Sequence, residues 1–194
     1  MKEAIIIAGA NGSGKTTFSN QLIEETGYAF LNADNIERTF NEPSSGITKL
    51  KAGRIFFHQL DGLISDNQSF ILESTLAGHY LKKVIERMKA DNYHVKIIYV
   101  FLESPEVCIK RIEIRVKQGG HFVPTEDVIR RYYRSKNNFW FMYKSIVDNW
   151  ELYYNGIQSI DFIASGIEHE YIIENNWLFN DFLKDVDNHG SKTI

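Results

Sequence analysis

Eight consecutive residues carry the clearest chemical signal in this sequence. Gly9-Ala10-Asn11-Gly12-Ser13-Gly14-Lys15-Thr16 fits the pattern G-x-x-x-x-G-K-[ST] without a gap. Glycines at such spacing let backbone N–H groups turn toward anionic oxygens, and a helix starting at once afterwards adds positive potential. Here the amides from Gly9 to Thr17, through Ala10, Asn11, Gly12, Ser13 and Gly14, would cradle phosphates. Lys15 would reach the β- and γ-phosphates, and the Thr16 hydroxyl would ligate Mg²⁺. The flanks fit: Ala4–Ala8 is an apolar, β-branched run that reads as a buried strand, and Thr17–Thr26 reads as a helix closed by Gly27. A glycine-rich turn with a chance lysine would not need both neighbours. The segment implies a nucleoside triphosphate site.

Two carboxylates follow predicted strands and should reach the same rim. Asp34 comes just after Tyr28–Leu31, and Glu73 closes Phe70–Glu73. Asp34 has two readings, a helix N-cap for Asn35–Phe40 or a base that accepts a proton from an attacking hydroxyl. A charge ending a buried apolar strand needs a partner, so Glu73 calls for Mg²⁺, a substrate or an arginine. Side by side, the pair suggests phosphoryl transfer.

Basic residues crowd the next stretch. Lys110, Arg111, Arg115, Lys117, Arg130, Arg131, Arg134 and Lys136 surround the loop Gln118–Pro124, which contains Gly119-Gly120-His121. Arg111 and Arg115 share a helical face, as do Arg130 or Arg131 with Arg134. Two basic helices flanking a Gly-Gly loop would make a lid over residues 111–136 that stabilises charge on a transferring phosphoryl group. A solvated helix face is the plainer reading of the same charges. The aromatic run Phe139–Tyr143, with Trp150, Tyr153 and Tyr154, lacks the basic interleaving of a single-strand channel and reads as packing.

These groups need a scaffold, and the hydrophobic pattern supplies one. Strand candidates Ala4–Ala8, Tyr28–Leu31, Phe70–Glu73, Val95–Leu102 and Ile160–Ala164 alternate with helical segments at Ile47–Asp66 and Leu81–Ala90. Further helices start at Ser104-Pro105 and at Thr125, the latter continuing toward Trp150. The expectation is an α/β fold: a mostly parallel five-stranded sheet with helices on both faces, then an edge strand at Glu170–Glu174 and a closing helix at Trp177–Val186. A chain of 194 residues, 43% hydrophobic, reads as a single domain over 1–186 with a polar, flexible tail at 187–194. Cys108 is the single cysteine, so no internal disulfide can form, which suits a reducing cytoplasm. The N-terminal apolar run is too short for a signal peptide, and no segment has membrane-span length. A net charge of −3 gives no global reason to expect nucleic acid or anionic membrane as a partner.

Absent parts narrow the class. No Asn-Lys-x-Asp guanine reader follows the loop, and no Ser-Gly-Gly signature precedes the Glu73 strand as a transporter ATPase would require. The ordered set Gly9–Thr16, Asn32-Ala33-Asp34, Leu72-Glu73-Ser74-Thr75-Leu76 and Arg115–Pro124 resembles the zeta-toxin-like kinases. Arg130–Asn138 and Leu152-Tyr153-Tyr154-Asn155-Gly156 extend the similarity over nearly the whole chain. The resemblance implies a P-loop nucleotide-kinase fold and ATP/Mg²⁺-dependent phosphorylation of a hydroxyl, on a UDP-linked amino sugar in the best-understood members. It places Asp34 as the base and Glu73 and Thr75 on the substrate side. Arg111 or Arg115 then neutralises the transferring phosphate. His121, Arg131 and Arg134 stand near the family's second lid arginine, whose position this chain does not match. An antitoxin protein is implied as a partner by the family alone. Rival readings are a kinase for a nucleoside, a metabolite or a nucleic-acid 5′-hydroxyl, and a non-catalytic ATP-sensing module, which would need no hydroxyl base. Lys15→Ala is expected to abolish phosphoryl transfer from labelled ATP; activity retained would mean that the site lies elsewhere.

Overall fold

The computed structural model describes residues 1–40, 45–120, 122–156 and 159–189. Its strands are β1 (Lys2–Ala8), β2 (Ala29–Leu31), β3 (Phe70–Ser74), β4 (Tyr93–Phe101), β5 (Asn149–Asn155), β6 (Ile160–Ile167) and β7 (Glu170–Ile173). Its helices are α1 (Lys15–Thr26), α2 (Ala33–Arg38), α3 (Gly46–Ser65), α4 (Tyr80–Ala90), α5 (Pro105–Lys117), α6 (Thr125–Phe141) and α7 (Asn176–His189). The strands form one sheet in the order β2-β3-β1-β4-β5-β6-β7. The first five in that order run parallel, and β6 and β7 are antiparallel additions.

Alternation along β1 sets the two layers. Ala4, Ile6 and Ala8 face a core built with Phe56, Leu60 and Ile64 of α3, Leu81, Ile85 and Met88 of α4, Phe139 of α6 and Phe182 of α7. Ile5 and Ile7 face the other way, onto Phe18, Leu22 and Ile23 of α1. A third cluster joins Ala10 of the loop to Cys108 and Ile112 of α5 and to Val128 and Tyr132 of α6. Parallel strands buried on both faces explain why β1, β3 and β4 read as continuous apolar runs.

The expected architecture stands with one substitution. The fifth parallel strand is β5, which begins near Trp150, where the Thr125 helix is expected to run out. That helix stops at Phe141, and Tyr143–Ser145 make one 3₁₀ turn. Asp148 then accepts a hydrogen bond from Val95 N at 2.7 Å and returns its own N–H to the Val95 carbonyl, clamping the start of β5 onto β4. Alternation does the rest: Trp150 and Leu152 go into the core while Glu151 and Tyr153 take the opposite face. Ile160–Ala164 is a strand, but an antiparallel one that returns from β5, so the sheet holds seven strands. The aromatic run is largely packing, with Phe139, Tyr143 and Trp150 fully buried, though Phe141 faces solvent. Helix α7 extends to His189, past the boundary expected at 187; residues 190–194 lie outside the described set.

One basic residue counted with the lid belongs to the core instead. The Lys136 side chain is 1% exposed, among the rings of Phe101, Tyr132 and Phe182, and its ammonium donates to Asp185 Oδ2. The Tyr132 hydroxyl donates to the same oxygen at 2.9 Å. Removing one member of such a pair strands the other in a medium that solvates it poorly. Asp185→Ala should cost about 3 kcal/mol in urea unfolding. The double change Lys136→Met/Asp185→Ala should recover most of that loss.

Candidate active site

The segments that follow β1, β2, β3 and β4 converge on a cavity of about 740 Å³. The phosphate loop, the start of α2, the Glu73–Gly78 segment, and helices α5 and α6 line it. Glycine geometry explains the loop. Gly14 has φ 96°, and a Cβ there would stand 2.0 Å from Asn155 Nδ2. At Gly9, with φ 140°, a Cβ would meet the Val100 carbonyl oxygen at 2.1 Å. Neither position can hold a side chain, so the loop lies tight against β4 and the end of β5. Asn155 Nδ2 donates to the Ser13 carbonyl at 2.8 Å, and Arg111 donates to the Asn155 and Gly156 carbonyls at 2.9 and 3.0 Å. The loop, the end of β5 and α5 are thus tied together.

Lys15 Nζ donates to the Gly9 and Ala10 carbonyls, both at 2.9 Å. Burial pulls its pKa below the usual lysine value, opposed by the charges of Glu73 and Asp34. Glu73 is 9% exposed, and one of its oxygens, Oε2, accepts from the Thr16 hydroxyl at 3.1 Å and from Asn32 Nδ2 at 2.9 Å. Burial pushes its carboxyl pKa upward, against Lys15, Ser19 and Thr16, which favour the charged form. Its other oxygen, Oε1, is buried with no hydrogen-bond partner. A hydroxyl and a carboxylate side by side, with one hard oxygen spare, fit Mg²⁺. Among the described residues no cluster of three or more His, Cys, Asp or Glu could hold a metal ion, so Thr16 and Glu73 are the side chains that would hold Mg²⁺ here.

Asp34 lines the cavity in the first turn of α2, and the capping is done by its neighbour. Asn32 Oδ1 accepts from Asp34 N at 2.8 Å and from Asn35 N at 3.4 Å, so the helix starts at Ala33 and the Asp34 carboxylate is not needed as its cap. Thr75, Arg111, Arg115, Arg131 and Arg134 also line the cavity, as do Asn11, Gly12, Gly14, Thr16 and Thr17. Gly9, Ala10 and Ser13 lie beneath, shaping the loop. Arg131 reaches Asn11 Oδ1 at 3.2 Å, a contact between α6 and the phosphate loop. His121 lies outside the described residues. Cys108 sits directly under Gly12, where burial raises its thiol pKa to about 12 and leaves it without nucleophilic character.

Asn32, Asn155, Tyr80 and Glu37 are among the lining residues with no role assigned from sequence. Asn32 could have been found, since an asparagine two residues before Asp34 is a standard N-cap. Asn155 depended on recognising β5. Tyr80, whose hydroxyl lies 3.3 Å from Ser74 Oγ, and Glu37, which accepts from Thr48 Oγ1 at 3.0 Å, gave no local signal.

A parallel sheet with a phosphate loop after β1 and basic helices after β4 defines a P-loop kinase fold. The Zeta toxin sequence profile matches residues 1–160, and the chain belongs to that family. An uncharacterized protein of Haemophilus influenzae is 29% identical over 131 residues, 68% of this chain and 92% of that one. The cytidylate kinase of Archaeoglobus fulgidus is 27% identical over 173 residues, 84% of this chain and 89% of its own. Among solved structures, AvrRxo1-ORF1:AvrRxo1-ORF2 with ATP matches at TM-score 0.77 and 17% identity, over 100% of this chain and 66% of that chain. The PezAT toxin–antitoxin system of Streptococcus pneumoniae matches at TM-score 0.66 and 17% identity, over 97% and 87%. Among the described residues, no helix is long and apolar enough to cross a membrane.

The close approach at Gly14 gives a test of the loop. Gly14→Ala should strain the backbone by about 1–3 kcal/mol and push Asn155 off the Ser13 carbonyl. Thermal denaturation should register the strain, and a fluorescent-nucleotide titration should show affinity reduced at least tenfold.

Proposed function

We propose that this protein is an ATP- and Mg²⁺-dependent kinase that phosphorylates a hydroxyl group of a small molecule. The observation that carries the reading is one cavity holding Lys15, the Thr16–Glu73 pair and an Asp34 carboxylate not engaged as a cap. Loop amides and Lys15 would hold the donor phosphates. Bound at Thr16 and Glu73, Mg²⁺ would supply charge neutralisation for the phosphates. Asp34 accepts the proton of the acceptor hydroxyl as its oxygen forms the new bond to the γ-phosphorus. The bond from that phosphorus to the β,γ-bridging oxygen breaks, and ADP leaves with the electron pair. Arg115, Arg130, Arg131 and Arg134 line the same cavity and would neutralise charge on the transferring phosphoryl group, and Arg111 holds α5 against β5 beside them. The support for catalysis over nucleotide sensing is Asp34, since a sensor needs no base.

Family membership makes a UDP-linked amino sugar the first acceptor to test, and an antitoxin protein the first macromolecular partner. The relationship to a cytidylate kinase, together with five arginines around the cavity, favours a nucleoside monophosphate as second choice. Purified protein with Mg²⁺ and labelled ATP should label one compound in a panel of UDP-sugars, nucleosides, nucleoside monophosphates, small metabolites and 5′-hydroxyl oligonucleotides. Asp34→Asn should leave ATP affinity within about twofold of wild type and lower turnover about a hundredfold or more. Equal loss of both would make Asp34 structural, and an unchanged rate would remove it as the base.

A further inference from the structure

Thr16, Glu73 and Asp34 come from three elements: the start of α1, the end of β3 and the first turn of α2. A single carboxamide touches both of the latter. Asn32 is 9% exposed and extended, at φ −144° and ψ 119°, immediately after β2. Its Nδ2 donates at 2.9 Å to the Glu73 oxygen that also accepts from Thr16, and its Oδ1 accepts the backbone N–H groups of Asp34 and Asn35. No other side-chain type does both at this length. Asp lacks the donor, Ser and Thr cannot span to Glu73 while capping, and Gln adds a methylene that moves both ends.

We infer that Asn32 is the positioning residue that joins the two halves of the site, orienting the Glu73 carboxylate against Thr16 with one arm and the turn that carries Asp34 with the other. This rests on the reading of Thr16 and Glu73 as the Mg²⁺ position. Asn32 touches no reacting atom. The amide holds Oε2 between Thr16 and itself, and so leaves Oε1 as the oxygen with no hydrogen-bond partner. Held in this way, the carboxylate loses less conformational freedom when it takes a ligand. Pairing between β2 and β3 makes the span possible, since Leu31 and Leu72 are partners in register and place Asn32 beside Glu73.

The two arms can be separated. Asn32→Ser keeps a capping oxygen, so α2 and global stability should stay close to wild type, but Glu73 loses its donor. The measurement is ATP affinity by calorimetry in excess Mg²⁺ and again in EDTA, alongside thermal denaturation. A hydrogen bond to a charged group is worth enough to expect the Mg²⁺-dependent gain in affinity to shrink about tenfold, with affinity in EDTA unchanged. Asn32→Gly, which costs a cap little, serves as the second variant and should behave alike. Wild type with a clear Mg²⁺ gain, and folded variants that keep it in full, would overturn the role given to Asn32 alone. Wild type that binds ATP equally with and without Mg²⁺ would overturn the metal reading of Thr16 and Glu73, and this inference with it.

Discussion

A buried carboxylate with only part of its hydrogen-bonding capacity used is the constraint around which this site is built. Glu73 ends a strand whose every residue is buried, and burial alone would favour its neutral form. Lys15 supplies the opposing charge, and Thr16 and Asn32 supply two donors to a single oxygen. Each of these neighbours is fixed by a different piece of the fold. Lys15 and Thr16 begin α1, which only a loop of glycines can turn into; Asn32 directly follows β2; Glu73 itself is set by the pairing of β3 between β1 and β2. Parallel pairing therefore does more than bury apolar side chains. It brings the strand ends to one level, so groups far apart in sequence meet within hydrogen-bond distance.

The same logic explains how α5 and α6 join the site. Their apolar residues Cys108, Ile112, Val128 and Tyr132 pack with Ala10 of the phosphate loop, so the basic faces of both helices come to rest over the cavity. Arg111 binds two backbone carbonyls at the end of β5, and Arg131 binds a loop side chain. These arginines are therefore part of the loop's own support, in addition to any work on phosphate. Position in sequence gave no means of separating them from Arg115 or Arg134, because all lie on the same two helical faces.

Local chemistry made the phosphate loop, the Glu73 strand end and the helix starts legible in the sequence, because each depends on residues close together. The fold class followed from apolar runs alternating with helical periods. What escaped detection depended on partners remote in sequence. Asn149–Asn155 has ordinary strand alternation, but it follows directly on a helix rich in aromatics, and Asp148 marks the start only through its bonds to Val95 on β4. Lys136 reads as one more basic helix residue, and only Asp185, 49 residues later, reveals it as a core cation. Asn155 has meaning only once β5 brings it against Ser13, 142 residues earlier.

Helix α6 serves two masters. Its first turns present Arg130, Arg131 and Arg134 to the cavity, while Val128, Tyr132, Ser135, Lys136 and Phe139 are sunk into the interior. A helix nailed down along its length cannot swing as a hinged flap without opening the core behind it. Phe122, ahead of that anchored stretch, stands exposed at the cavity wall. The arginines that α6 turns toward the cavity are therefore held in place by the core behind them, and a ligand must meet their spacing as it stands.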